Sequence, residues 1–295
     1  MRTMDPSKAR SMKVRFIAGP LMILFVLGLV WADFHWDRGR GRISAFFLGL
    51  LALAGLAEYV GLLKKSGRPV AGLWVLAAAF LLHGSAVFLT PSWKVLDREL
   101  YAPVLLAMGL LLPLSARALT PEGMERGLET AGSTLVGFLL VSWPLYLAQG
   151  LCLRFLPWMI WLALTAKGGD TGAYLVGVFF GRRKLIPHVS PGKSVEGALG
   201  GLAASLVIGV AASGLIPPSV VELPLPAWAG LAIMVGMTAQ ISDLVESMVK
   251  RLCGAKDSSS LVPVHGGVLD LVDSFLLSTP PFFLLVVLLT GGSGA

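Results

Sequence analysis

Apolar residues in this chain fall in long blocks rather than in alternation. Runs at 16–31, 43–63, 70–89, 100–119, 133–153, 157–180, 197–216, 227–248 and 268–289 are dominated by Leu, Val, Ala, Phe and Gly and are separated by short polar segments. An α-helix of about 20 apolar residues crosses roughly 30 Å of hydrocarbon. Backbone polar groups in lipid must be satisfied within helices or a closed barrel, and uninterrupted runs of this length choose the helix. The pattern therefore predicts an all-α fold: a polytopic membrane helix bundle of about nine transmembrane helices. No internal repeat is evident, so 1–295 reads as a single transmembrane domain, with N-terminal spans in 1–153 and the chemistry-bearing spans and loops in 154–295. The basic stretch 1–15 leads into the first run as a signal peptide would. No small-residue cleavage site precedes Asp33, so that run reads as a retained span.

Composition agrees with this reading. Hydrophobic residues make up 55% of the chain and charged residues 14%, with a mean hydropathy of +0.78. A soluble domain carries about 25% charged residues. The net charge of +7 does not point to nucleic acid, because the Lys and Arg residues sit in short loops between apolar runs. Topology and anionic lipid account for them better. Alternate loops carry 17 and 6 of these cations, which predicts a cytoplasmic N-terminus and puts the loops after the sixth and eighth runs on the same side. Cys152 and Cys253 show neither a disulfide framework nor metal-ligand spacing.

Charge inside a span is costly and faces a partner or a water-filled cavity. Asp170 and Lys167 lie in the sixth run and Asp243 and Glu246 in the eighth, while Asp270 and Asp273 open the ninth. Acids three residues apart share one helix face. Carboxylates on facing helix ends suit Mg²⁺, which takes oxygen ligands and keeps substrate phosphates in its shell. Asp243, Glu246, Asp270 and Asp273 are the expected metal ligands, and a second cation is left open. The competing reading is that these acids form structural ion pairs with Lys250, Arg251 or Lys256.

The loop after the eighth run holds Lys250, Arg251, Lys256, Asp257 and His265, followed by Gly266 and Gly267. Its cations offer charge-assisted bonds to phosphate, and its glycines let backbone N–H groups approach an anion. A positive loop with a glycine turn is the plain alternative. His265 reads as a positioning group rather than a base, since phosphoryl transfer needs little covalent help. A third cluster runs from Asp170 through Thr171, Gly172, Ala173 and Tyr174 to Ser190, Lys193, Ser194 and Glu196. Gly169, Gly172, Ala173 and Gly177 predict close helix packing. The Gly192-Lys193-Ser194 triplet is not a P-loop, because the upstream glycine is missing and no strand is expected before it.

Taken together, Ser247, Lys250, Arg251, Lys256, Asp257, Ser259, Pro263, His265, Gly266, Gly267, Asp270 and Asp273 stand at the spacings of a C-terminal signature. In these residues the chain resembles the phosphatidate cytidylyltransferases, also called CDP-diacylglycerol synthases. The segments Asp170-Thr171-Gly172-Ala173-Tyr174 and Ser190 to Gly197 resemble that family too. The clear resemblance covers about the last 130 residues. It departs at Leu271, where the family has Arg, at Val262, where Leu, Ile or Phe is usual, and at Val264, where Gly is common. Lys167 is outside the pattern and would supply the missing cation if the sixth run lay against the ninth.

The resemblance implies transfer of a cytidylyl group from CTP to phosphatidate, giving CDP-diacylglycerol and pyrophosphate. It implies Mg²⁺ at Asp243 and Asp270, with Asp170, Ser190, Lys193, Ser194, Glu196, Asp257, Gly266 and Gly267 around the substrates. Phosphatidate would enter from the bilayer and CTP from the cytoplasm, at an active site facing the cytoplasm across the inner membrane. Oligomeric state, a homodimer included, is left open. The rival readings are a CTP-dependent polyprenol or lipid kinase, a cytidylyltransferase for another lipid phosphate, a transporter, and a weakened paralogue with a regulatory role.

Overall fold

The structure, a computed structural model, describes residues 21, 24–88, 121–261 and 266–290, those at 121–125 by backbone alone. The described helices are α1 (Leu24–Trp36), α2 (Arg42–Lys65), α3 (Gly72–Phe88), α4 (Pro121–Gly137), α5 (Trp143–Phe180), α6 (Val195–Ala211), α7 (Leu225–Leu252) and α8 (Val268–Leu289). A π-helical turn, Phe138–Ser142, joins α4 to α5, and a 3-10 turn, Ala212–Leu215, ends α6. Among the described residues, five helices are long and apolar enough to cross a membrane. The protein is a multi-pass membrane protein built almost entirely of helices. The predicted run 100–119 lies outside the described residues, and with it part of the basis for a count of nine.

Several predicted runs match closely. The ninth coincides with α8, and the second, seventh and eighth differ from their helices by a few residues. The described part of the first span continues to Trp36. Asp33 is therefore helical and fully buried, and it caps α2: its carboxylate accepts from Ile43 N at 2.8 Å, Ser44 N at 2.9 Å and the Ser44 hydroxyl.

Two expectations are corrected. The fifth and sixth runs are not parted by a loop, because helix continues from Arg126 to Phe180, 55 residues in all. At 1.5 Å per residue that is about 80 Å, far more than one bilayer thickness. A break at Phe155 (φ −160°, ψ 95°) divides it, followed by Pro157, which lacks the N–H an unbroken ladder would need. Hydropathy therefore shows a gap where the chain only kinks.

The second correction is a β-hairpin between α5 and α6. Strand β1 (Lys184–Ile186) pairs antiparallel with β2 (Ser190–Ser194), Lys184 opposite Ser194 and Ile186 opposite Ser190. A strand does precede Ser194, against expectation. A strand of five residues with only partial burial carries no hydrophobic period to read.

The C-terminal half packs through small residues. A Cβ built on Gly201 of α6 would lie 2.9 Å from Ala173 Cβ, 3.0 Å from Gly169 O and 2.8 Å from Gln240 Nε2. The predicted close packing of Gly169, Gly172, Ala173 and Gly177 is thus borne out, since all four meet α6 or its cap. Gly201→Val is expected to lower stability by about 1–3 kcal/mol through overpacking, read as a lower thermal midpoint in detergent. An unchanged midpoint would show that the α5–α6 contact tolerates extra bulk.

The bundle is polarised. Trp158 and Trp161 near the start of the second arm of α5, Trp228 in the first turn of α7 and Phe282 late in α8 form one aromatic cluster. Trp161 donates its Nε1–H to Gly209 O at 2.8 Å. The acids lie at the opposite end of these three helices, because α8 runs antiparallel to both partners. One end is dry and aromatic, and the other gathers charge.

Candidate active site

Three helices deliver the charged residues to one end of the bundle. Lys167 and Asp170 come from late α5, Asp243, Glu246 and Lys250 from late α7, and Asp270 and Asp273 from the first turns of α8. The hairpin adds Lys193. Each lysine is paired. Lys250 lies 2.6 Å from Glu246 Oε2 and also contacts Asp270 Oδ1. Lys167 lies 3.1 Å from Asp273 Oδ1 and 3.5 Å from Asp170 Oδ2, and Lys193 lies 2.8 Å from Asp243 Oδ2. The sixth run therefore does lie against the ninth, and Lys167 stands beside Asp273, two residues from Leu271.

Asp270 is the most heavily used of the predicted acids. One oxygen meets Lys250. The other accepts from Gly267 N at 2.8 Å, Ser258 N at 3.0 Å and the Ser258 hydroxyl. It therefore caps α8 and holds the preceding loop at the same time. Ser242 of α7 enters the backbone ladder of α8: its hydroxyl donates to Asp273 O and accepts from Leu277 N at 3.0 Å. A side chain inserted into the ladder is a recognised way to bend a helix.

A cavity of about 370 Å³ opens beside this cluster, lined by Asp170, Tyr174, Ser190, Lys193, Ser194, Gln240 and Asp243 among others. Of the residues predicted at the substrate, Asp170, Ser190, Lys193 and Ser194 line it. Ser194 also caps α6 by accepting from Gly197 N at 3.1 Å. Glu196 does not line the cavity. Its Oε2 accepts from Arg182 N at 2.9 Å and Arg183 N at 3.1 Å, anchoring the chain entering the hairpin. Arg251 reaches the hairpin turn, donating to Val189 O at 3.2 Å. Lys256 and Asp257 are exposed in the loop. Gly266 has a φ of +95°, which favours glycine. Gly267 is buried where a Cβ would lie 2.7 Å from the Glu58 carboxyl carbon. His265 lies outside the described residues.

The predicted metal ligands are not gathered into one cage. Among the described residues, no group of three or more His, Cys, Asp or Glu side chains is close enough to hold a metal ion. The donor set nevertheless fits Mg²⁺, which takes one or two carboxylates and fills its shell with water and phosphate. Asp273 feels the charge of Asp243, and Asp170 feels the charge of both. The five acids face only three lysines among the described residues, so the acids outnumber the cations paired with them. Glu246 Oε1 is buried with no hydrogen-bond partner among the described residues, an orphan of the kind a cation or water would satisfy.

Sequence reasoning missed Glu58. This α2 residue is 7% exposed and contacts the same loop and helix start as Asp270. The signal was present: Glu58 is the one acid in the apolar run 43–63, and intramembrane acids are rarely idle.

The comparisons with known proteins agree with this picture. A family described as "Cytidylyltransferase family" matches residues 13–289. A phosphatidate cytidylyltransferase of Synechocystis sp. is 37% identical over 185 residues, 60% of this chain and 56% of that protein. One from Pseudomonas aeruginosa is 47% identical over 148 residues, 50% of this chain and 51% of its own length. One from Staphylococcus aureus is 38% identical over 131 residues, covering 44% and 46%. The chain thus spans about half the length of these relatives. With a match running nearly end to end and the acids and lysines assembled at one end of the bundle, the chain belongs to the cytidylyltransferase family.

Proposed function

We propose that this protein transfers the cytidylyl group of CTP to phosphatidate, forming CDP-diacylglycerol and pyrophosphate for phospholipid synthesis. The observation that carries this reading is the cavity beside the acids, where Asp243 and Asp170 share a wall with Lys193. Carboxylates and ammoniums at one mouth are what a cation-dependent reaction between two phosphates requires. The names of the matched relatives supply the substrates.

In this account a phosphatidate oxygen attacks the α-phosphorus of CTP. A new P–O bond forms, the bond from that phosphorus to the bridging oxygen breaks, and pyrophosphate leaves with its electron pair. Mg²⁺, when bound, would be held by Asp243 and Asp273, with water and substrate phosphate filling the rest of its shell, and would supply neutralisation of phosphate charge. Lys193, Lys167 and Lys250 compensate these acids in the arrangement seen, and ammoniums so placed can turn to phosphate oxygens. Arg251 and Lys256 extend the cationic rim. The phosphatidate acyl chains stay in the bilayer beside Tyr174 and Val178, which line the cavity and are exposed. The active site then lies at the cytoplasmic face of the inner membrane, where CTP is available.

The test is product identification. Purified protein given CTP, phosphatidate and Mg²⁺ is expected to make CDP-diacylglycerol and pyrophosphate in equal amounts, and none after chelation. Phosphorylated lipid with free CDP would instead identify a lipid kinase, and no reaction with any phosphatidate would sink the reading.

A further inference from the structure

We infer that Glu58, from the N-terminal half of the chain, is a positioning residue that clamps the loop after α7 onto the start of α8. This rests on the proposed cytidylyl transfer and adds a residue to it. Glu58 Oε1 accepts from the Ser259 hydroxyl at 2.6 Å and from Val268 N at 2.9 Å. Its Oε2 accepts from the Ser258 hydroxyl at 2.9 Å and from Leu269 N at 2.8 Å. All four groups contacting it can donate a proton, two from the loop and two from the first turn of α8. A carboxylate at a helix N-terminus meets orphan N–H groups and the positive end of the helix dipole.

The clamp acts through Asp270. The Ser258 hydroxyl has one proton to give and lies between Glu58 and Asp270, so the two acids fix its position jointly. With Gly267 packed against Glu58, no side chain fits between them. Asp270 in turn holds Lys250, and Lys250 holds Glu246. A residue some 200 positions away in sequence thus sets the register of the charged cluster, while lying on a helix that contributes nothing to the cavity.

Glu58→Gln keeps the shape but turns an NH₂ toward two of the donors. Loss of a supporting partner of this kind costs about 10- to 100-fold in activity. The full-length variant in detergent, assayed with CTP and phosphatidate, is expected to lose about that factor in kcat while both KM values stay within about twofold. Amide exchange at Val268 and Leu269 should rise while exchange across α6 is unchanged. Ser259→Ala, which removes one bond, should give a loss of about 2- to 10-fold in the same direction. Native kcat and native exchange in Glu58→Gln would overturn the clamp. Should that variant not fold, Ser259→Ala decides: native kcat and exchange refute the clamp. Should the native protein make no CDP-lipid, the functional reading fails by itself, and exchange at Val268 and Leu269 still supports or refutes the clamp.

Discussion

Asp243→Asn is expected to lower turnover about 10²- to 10³-fold, the loss typical when one preorganised electrostatic group is removed from an active site. Its unfolding midpoint should stay within about 2 °C of the native value. The two halves of that expectation have separate causes. Asn matches Asp in shape, so packing is kept. The Asp243 side chain is 31% exposed and Lys193, its partner, 25% exposed, so water can take over when the ion pair is lost. What cannot be replaced is a negative charge at the cavity wall. Turnover within about threefold of native would remove Asp243 from the chemistry.

Asp270→Asn should behave differently, losing both activity and stability. The Lys250–Asp270 pair is nearly buried, each side chain 11% exposed. Removing one partner of a buried pair costs about 3 kcal/mol, because the other charge stays behind without compensation. Here Lys250 keeps Glu246, which limits the cost, but the amide also presents an NH₂ where the carboxylate accepted from Ser258 and Gly267. The expected result is a lowered thermal midpoint with turnover down by about 10²-fold or more. A variant that unfolds normally yet is inactive would show that Asp270 acts on substrate alone, and a stable, active one would refute both roles.

The contrast between these acids marks what the sequence could reveal. Run length and hydropathy located most of the described helices, and the positions of Asp243, Glu246, Asp270 and Asp273 near helix ends pointed to one end of the bundle, though not to a single cage. The small residues Gly169, Gly172, Ala173 and Gly177 announced close helix packing, and the structure shows α6 as the partner. The signature residues led to the right family. None of this shows how a carboxylate divides its oxygens. Asp270 and Asp243 look alike in sequence, but one is saturated by a loop and a helix start and the other opens on a cavity. Glu58 was legible only as an unexplained charge, since its partners lie about 200 residues away and hydrogen bonds of that reach leave no periodic trace. The hairpin at Lys184–Ser194 was hidden for the opposite reason: strands this short and exposed have no apolar face. The kink at Phe155 reads as a gap because Arg154 and Pro157 interrupt hydropathy without ending the helix.

The measurement that bears most directly on the account follows the phosphorus. Native protein is incubated with phosphatidate and Mg²⁺, and with CTP labelled at either the α- or the γ-phosphorus. Label from the α position should appear in the lipid product and label from the γ position in pyrophosphate. Label passing from the γ position into lipid would mean that phosphate, not cytidylate, is transferred, and the proposed chemistry would be wrong.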